Sequence, residues 1–186
     1  MNGLKVYRAD IDGLRAIAIC SVIGFHVFPE AVRGGFVGVD IFFIISGYLV
    51  TAIILHGLES NIFSFASFYA RRIKRIFPSL ILVLFTCYIF SWFVLLPTEF
   101  KQLGKHIASA AGFIANFIFW REIGYFDGSA ETKPLLHIWS LGVEEQFYVI
   151  CPLLLYVVWS KRFLVLPTII ATVSISFVIN LSLIHI

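Results

Sequence analysis

The chain has 186 residues, of which 60% are hydrophobic and only 13% are charged, and its mean hydropathy is +0.94. Soluble domains are about half apolar and about a quarter charged, so this composition excludes an ordinary soluble domain and indicates a membrane protein. The formal net charge of +3 is modest, and we expect no nucleic-acid partner. The three cysteines fall in different apolar segments without metal-ligand spacing, so we expect no metal site.

Apolar runs follow one another along the chain and predict an all-α fold, a polytopic transmembrane helix bundle with five or six membrane segments. In chain order these segments are residues 6–28, 36–55, 76–96, 107–120, 147–159 and 163–184. The fourth run is short for a full crossing, so the sequence leaves open whether it crosses the bilayer or dips in and returns.

Four basic residues lie in the connection before the third segment, and such clusters mark the cytoplasmic side of a membrane. They are Arg71, Arg72, Lys74 and Arg75. If the first two segments both cross, the N-terminus lies on the same side. We therefore expect a multi-pass protein of the cell inner (plasma) membrane, with a cytoplasmic N-terminus and the lipid bilayer as its first partner.

The first segment carries two ionisable side chains, Arg15 and His26, inside an apolar stretch. Such residues at membrane depth are costly and commonly functional. Their spacing of roughly three helical turns places both on one face, roughly 16 Å apart along the axis. The alternative is that Arg15 reaches to the interface while His26 caps the helix.

The second segment begins with the glycine-rich sequence GGFVGVDIFFIISGYL, residues 34–49. Its glycines permit close backbone approach, and Asp40 and Ser46 add polar groups within the apolar run. These features suit a cavity wall, and they equally suit helix capping and packing through small residues.

The basic cluster itself contains Arg72 and Arg75, which are neighbours on one helical face. The planar guanidinium group of arginine binds two phosphate oxygens at once, so the pair suits a phosphorylated ligand. The alternative is a purely topological role, or binding of lipid head groups.

The segment KPLLHIWSLGVEEQFYVICP, residues 133–152, carries a polar stripe. His137, Ser140, Glu144 and Tyr148 share a helical face, whereas Glu145 points about 100° away. A polar stripe on an apolar helix is typical of a side that faces a cavity. The alternative is an interfacial helix whose acidic side chains stay in water.

These four motifs, in this order within residues 7–160, resemble the membrane domain of acyltransferase family 3. The matching stretches are YRADIDGLRAIAICSVIGFH, GGFVGVDIFFIISGYL, RRIKRIFP and KPLLHIWSLGVEEQFYVICP. Members of this family have more membrane segments than this chain. We therefore expect residues 1–186 to be an incomplete membrane domain that lacks the C-terminal helices and any extracytoplasmic domain.

The resemblance implies transfer of an acyl group, expected to be acetyl, from cytoplasmic acyl-coenzyme A to a hydroxyl of a cell-envelope carbohydrate. It implies that Arg72 and Arg75 hold the donor phosphates. Arg15 would guide the donor and His26 would act as base or nucleophile, with Glu144 supporting the imidazole. The expected cavity residues are Asp40, Ser46, His137, Trp139, Ser140 and Tyr148.

Two other classes of function fit the same residues. A proton-coupled transporter would also bury charged side chains in apolar helices, but it would not need the arginine pair. A non-catalytic membrane fragment would keep the segments without a closed pocket.

Overall fold

The computed structural model describes residues 8–122, 133–161, 164, 166–172 and 174, and it confirms the all-α prediction. These residues contain no β-strand. The helices are α1 (Ala9–Val27), α2 (Val37–Glu59), α3 (Phe65–Val94), α4 (Pro97–Ala111), α5 (Ala115–Arg121) and α6 (Trp139–Trp159), with a 3₁₀ turn (Leu136–Ile138) leading into α6.

Three helical stretches among the described residues are long and apolar enough to cross a membrane, so five or six crossings are not confirmed. They are Val37–Glu59, Phe65–Val94 and Leu136–Trp159. Helix α1 is 19 residues long but carries Asp10, Asp12 and Arg15, which lowers its membrane affinity. The predicted segment 163–184 lies largely outside the described residues.

Helix α3 begins well before the predicted boundary at residue 76. Ser64 adopts an extended conformation and its side chain accepts a hydrogen bond from the Ser67 amide at 3.4 Å, which caps the helix at its N-terminus. The basic cluster therefore lies inside α3, in the part of the helix that precedes the predicted membrane segment, and the predicted i, i+3 relation of Arg72 and Arg75 has its helix. A helix fixes the direction of each arginine in a way that a loop would not.

Helices α1 and α2 form an antiparallel pair whose backbones nearly touch. A Cβ atom at Gly35 would lie 2.2 Å from the Ser21 carbonyl oxygen, and one at Gly38 would lie 2.3 Å from the Ala18 carbonyl oxygen. Only glycine fits at these two positions. Gly34 has open space around it, so the close approach predicted for the glycine-rich motif depends on two of its members.

Helices α2 and α6 run side by side in the same direction. The rings of Phe43 and Trp139 are 6.3 Å apart near the start of both helices, and Thr51 contacts Cys151 further along. Helix α3 runs the opposite way. Side chains from these three helices form a core cluster of Val50, Ile54, Leu58, Phe68, Tyr148 and Leu155.

Helix α4 runs back along α3. The ring of Phe100 lies 5.3 Å from that of Trp92 near the C-terminal end of α3, and Phe113 lies 5.8 Å from Phe77 nearer its middle. Aromatic pairs at these separations are favourable contacts. Helix α4 therefore descends beside α3 instead of leading away from it.

The chain reverses after α4, and α5 returns along it. Phe113 has φ 55°, a left-handed conformation that turns the backbone between the two helices. The rings of His106 and Phe119 are 4.7 Å apart, as an antiparallel pair requires. The predicted segment 107–120 is thus broken by a turn, and its geometry is that of the alternative in which it dips in and returns. We call residues 97–121 the re-entrant hairpin.

The tip of the re-entrant hairpin is attached to α6 by a side-chain amide. Gln146 donates to the Phe113 carbonyl oxygen at 2.8 Å and to Asn116 Oδ1 at 2.9 Å, while Asn116 donates back to Gln146 at 3.3 Å. Polar groups in an apolar bundle must find partners, and these three bonds use both N–H groups of Gln146 and the amide oxygens of both side chains. They hold the tip against the middle of α6.

Candidate active site

Two imidazole rings meet at the end of the bundle where α1 finishes and α6 begins. His26 lies in the last turn of α1 and His137 in the 3₁₀ turn, and their ring centroids are 4.6 Å apart in an edge-on arrangement. His26 Nδ1 lies 2.8 Å from the Val22 carbonyl oxygen. Because a carbonyl oxygen only accepts, Nδ1 carries a proton, which leaves Nε2 of neutral His26 as the proton acceptor.

An open cleft of about 690 Å³ surrounds these rings. Its polar lining brings together five predicted site residues: His26, Asp40, His137, Trp139 and Ser140. The histidines and Asp40 are exposed to the cleft opening. A concave site with converging polar groups is the ordinary form of a small-molecule site.

A second cleft of about 390 Å³ continues along the same side of α6, between α1 and α2. It contains Glu144 and shares Ser140 with the first cleft. These two residues are four positions apart and therefore lie on one face of α6. Glu144 thus lies one helical turn from Ser140 and about two turns from His137, in the cleft that adjoins the histidine pair.

Arg15 does not lie at the end of the bundle. Its guanidinium group lies 5.2 Å from the centre of the Phe42 ring, opposite the first turns of α2. The start of α1 lies further along, where Arg8 interacts with Tyr48 near the middle of α2. Arg15 is therefore a half-buried cation within the length of the bundle, stabilised by an aromatic face.

The two arginines of the predicted phosphate site differ in environment. Arg72 is half-buried, with its guanidinium group 3.9 Å from the centre of the Tyr148 ring and 5.6 Å from that of Phe68. Arg75 is exposed. Stacking on two aromatic faces holds Arg72 in one orientation while its edges stay available for hydrogen bonds.

Tyr148 and Ser46, both predicted to line the cavity, are buried within the bundle. Tyr148 is 3% exposed and Ser46 is 7% exposed. The Tyr148 hydroxyl donates to Glu144 and accepts from Ser46. Tyr148 therefore touches both Glu144 and Arg72, and connects the groove to the basic cluster. Helical periodicity placed Tyr148 on the correct face but could not predict how deeply α2 and α3 would cover it.

Glu145 points about 100° around α6 from Glu144. It lines a separate cavity of about 430 Å³ between α3, α6 and the hairpin tip, together with Arg72 and Gln146. The charges of Arg72 and Arg75 act on its carboxylate. Sequence reasoning predicted the different direction of Glu145 but not this cavity, because its wall includes the hairpin tip, whose packing against α3 and α6 no single segment encodes.

The sequence did not predict a third polar cluster, which is centred on Glu122. Glu122 accepts hydrogen bonds from Lys105 at 2.8 Å, His106 at 2.8 Å and Lys133 at 3.1 Å. Burial raises the pKa of Glu122, but these three bonds outweigh burial and bring it to about 2. The cluster joins residues far apart in sequence, which no local pattern reveals. No group of three or more metal-ligating side chains occurs in the described part of the chain.

A family model described as an acyltransferase domain matches residues 8–186 of this sequence. The chain belongs to acyltransferase family 3. This membership confirms the resemblance drawn from the four motifs, and it favours acyl transfer over the transporter alternative. The histidine cleft, the groove with Glu144 and the basic cluster are therefore features of an acyltransferase family 3 membrane domain.

Curated relatives of this family 3 chain carry acetyltransferase names. The chain is 41% identical over 155 residues to a putative peptidoglycan O-acetyltransferase, YrhL, of Bacillus subtilis, covering 81% of this chain and 24% of that protein. It is 38% identical over 162 residues to peptidoglycan O-acetyltransferase OatA of Listeria monocytogenes, covering 85% of this chain and 26% of that protein. The chain thus spans about a quarter of the length of these relatives. No solved structure matches it significantly.

Proposed function

We propose that this chain forms the catalytic part of a membrane acetyltransferase that moves an acetyl group from acetyl-coenzyme A to a hydroxyl of a cell-envelope carbohydrate. The pairing of His26 and His137 in an open cleft is the observation that carries this proposal. The relatives named peptidoglycan O-acetyltransferases suggest peptidoglycan as the acceptor.

The chemistry assigned to His26 is that of a general base. Its Nε2 takes the proton of the acceptor hydroxyl, and the oxygen attacks the thioester carbonyl carbon. The C–S bond then breaks, and the proton on Nε2 passes to the departing sulfur, which gives the ester and the free thiol. Glu144, about two turns of α6 from His137 in the adjoining cleft, contributes a negative charge that favours the imidazolium formed between these two steps. His137 and Ser140 orient the acceptor in the cleft.

Donor binding is assigned to the basic cluster on α3. Arg72 and Arg75 bind donor phosphates as planar forks, and the aromatic stacking of Arg72 reduces the conformational entropy lost on binding. Arg15, between the cluster and the histidine cleft, provides a further positive charge along the path. In this arrangement the N-terminus and the basic cluster face the cytoplasm, while the histidine cleft faces the outer side of the inner membrane.

The replacement His26→Gln tests the assignment, because glutamine keeps a polar side chain but cannot take up a proton at neutral pH. We expect acetyl transfer from acetyl-coenzyme A to cell wall to fall at least about 100-fold, the usual share of general acid–base catalysis. The measurement is labelled acetate incorporated by membranes that contain equal amounts of each variant.

His56→Gln is the matched control, because His56 is exposed near the opposite end of α2. It should keep wild-type transfer. If His26→Gln also retained near-normal transfer, His26 would have no part in the reaction and the proposed mechanism would be wrong.

A further inference from the structure

His137 lies in a short turn, and within the described residues no hydrogen bond holds its ring. The ring belongs to the single 3₁₀ turn Leu136–Ile138, and its centroid lies 4.6 Å from that of the His26 ring. A 3₁₀ turn has poorer hydrogen-bond geometry than an α-helix, so it does not by itself fix where a side chain points. The place of the His137 ring in the cleft therefore depends on what holds the turn.

Two attachments hold this turn to the rest of the bundle. Leu135, just before the turn, is 2% exposed and packs among leucines of α3 and α4. Lys133, two residues earlier, donates from its ammonium group to Glu122 at 3.1 Å, and its carbonyl oxygen accepts from the Leu136 amide at 3.1 Å. The backbone of Lys133 is therefore part of the chain reversal that leads to His137. The leucine contact is non-directional, whereas the hydrogen bond to Glu122 has a defined direction.

Glu122 is itself held by α4. Lys105 and His106 donate to its two carboxylate oxygens at 2.8 Å each. The side chains of Glu122 and Lys133 are 11% and 12% exposed, and that of His106 is 3% exposed. A buried ion pair contributes little net stability compared with apolar packing, because both charges lose water, but its bonds have fixed directions. This cluster therefore suits a role in placing the chain that follows Lys133.

We propose that the ion pair of Glu122 and Lys133 positions His137, and that the re-entrant hairpin thereby sets how the acceptor is held in the histidine cleft. The described lining of that cleft contains neither of the two charges, so both act through His137 as positioning residues. Without the pair the turn can shift, and a displacement of about 1 Å in a site can cost about 100-fold in rate. This proposal rests on the proposed function, because it takes His137 as a group that orients the acceptor.

The test measures acetyl transfer from acetyl-coenzyme A to soluble glycan fragments of peptidoglycan, by membranes that contain equal amounts of each variant. Lys133→Met removes the charge and keeps a long side chain, while Glu122 keeps its bonds to Lys105 and His106. We expect the KM for the glycan to rise about tenfold, the effect of losing one hydrogen bond to the acceptor, while the KM for acetyl-coenzyme A stays the same. A purely structural role would lower the amount of active protein and hence the maximal rate, without changing either KM.

Three further variants distinguish positioning from a general effect on the hairpin. Lys133→Arg keeps a cation that reaches Glu122 and should retain the wild-type KM for the glycan. Lys105→Met is the matched control, because it removes another bond to the same carboxylate while His106 and Lys133 still hold it, and it should change neither KM. In a His137→Gln background, Lys133→Met should cause no further rise, because a residue that acts through His137 then has nothing to position.

Two more measurements cover the donor side and a variant that does not fold. Binding of adenosine 3′,5′-bisphosphate, the nucleotide head of coenzyme A, to the protein in lipid nanodiscs should be the same for Lys133→Met and wild type. If Lys133→Met does not accumulate in membranes, Glu122→Gln takes its place, because its amide oxygen still accepts from Lys133 but the charge is lost. The KM for the glycan should rise in Glu122→Gln too, and by less.

The outcomes separate this proposal from the proposed function. If the wild-type protein transfers no acetyl group, or if His26→Gln transfers as much as wild type, the proposed function is wrong and the positioning role is wrong with it. If transfer depends on His26, the positioning role alone is refuted by a wild-type KM for the glycan in Lys133→Met, or in Glu122→Gln where that variant takes its place. An equal rise in Lys105→Met, a further rise in the His137→Gln background or a change in bisphosphate affinity would refute it as well.

Discussion

At the scale of single residues, the two neighbouring glutamates of α6 have different environments because one α-helical step turns a side chain by about 100°. Glu144 lies in the groove that leads to the histidine pair and accepts a hydrogen bond from Tyr148. Glu145 faces Arg72 across the other cavity. One helix thus places a carboxylate in each of two cavities, and Tyr148, which contacts both Glu144 and Arg72, lies between them.

The arginine pair gives a prediction at this scale. Replacing Arg72 and Arg75 together by lysine keeps the positive charge that directs topology but removes the planar forks, and it ends the stacking of Arg72 on Tyr148. We expect the affinity for adenosine 3′,5′-bisphosphate to fall about tenfold or more, while orientation in the membrane stays the same. The measurement is equilibrium binding in nanodiscs.

The control for this pair is Arg71→Lys, because Arg71 is an exposed member of the same basic cluster. It should bind the probe as wild type does. If the double variant bound the probe as tightly as wild type does, the basic cluster would have a purely topological role.

At the scale of elements, the re-entrant hairpin is the part of the fold that departs most from a simple up-and-down bundle. Its tip is bonded to Gln146, and its open end is joined by the cluster around Glu122. Salt bridges and hydrogen bonds at both ends offset the low stability expected of two short helices. The cavity that contains Glu145 exists only while the hairpin stays in place.

The three bonds to Glu122 in the hairpin should weaken in acid and lower the stability of the fold. The pKa of Glu122 is about 2 in the folded chain, below the usual carboxylate value, so its stabilising effect is complete above about pH 4.5 and disappears as the pH falls toward 2. Glu122→Gln should lower stability at pH 7 by roughly 1–3 kcal/mol and should show a weaker loss between pH 4.5 and 3 than wild type. The measurement is thermal unfolding in detergent across this pH range.

Glu30→Gln is the control for acid sensitivity, since Glu30 pairs with Arg33 at an exposed site. Exposed ion pairs contribute little, so this variant should follow the wild-type curve. If Glu122→Gln also followed it, the three bonds to Glu122 would not stabilise the hairpin.

The sequence predicted α1, α2 and the polar face of α6, because apolar runs and helical periodicity are local properties. It did not predict the contact between His26 and His137, because that contact joins segments far apart in the chain. It did not predict the start of α3, because the cap at Ser64 is a weak start signal and the residues that follow it include the basic cluster. It did not predict the turn at Phe113 either, since a phenylalanine with positive φ carries no turn signature. The burial of Tyr148 depends on packing between three helices, which no single segment encodes.

At the scale of the whole molecule, the parallel arrangement of α2 and α6 decides the topology. Two parallel neighbours must both end on the same side of the membrane, which requires the intervening chain to cross an odd number of times. In the proposed membrane arrangement, helix α3 supplies one crossing, and the re-entrant hairpin supplies none because α5 turns back and brings Glu122 beside His106, midway along α4. We therefore expect the connection after α2 and the end of α6 to lie on the same side of the membrane.

This topology can be measured by cysteine labelling in a variant from which the three native cysteines have been removed. Ser60→Cys and Ser160→Cys place thiols just after α2 and α6, at exposed positions, and Glu30→Cys places one between α1 and α2. A membrane-impermeant maleimide added to intact cells should label position 30 and should leave positions 60 and 160 unlabelled until the membrane is opened.

Labelling of positions 60 and 160 from opposite sides would mean that residues 107–120 cross the bilayer, and the re-entrant hairpin would then be wrong. Labelling of positions 60 and 160 from outside, with position 30 protected, would keep the hairpin but reverse the proposed orientation, and would place the arginine cluster on the side without coenzyme A.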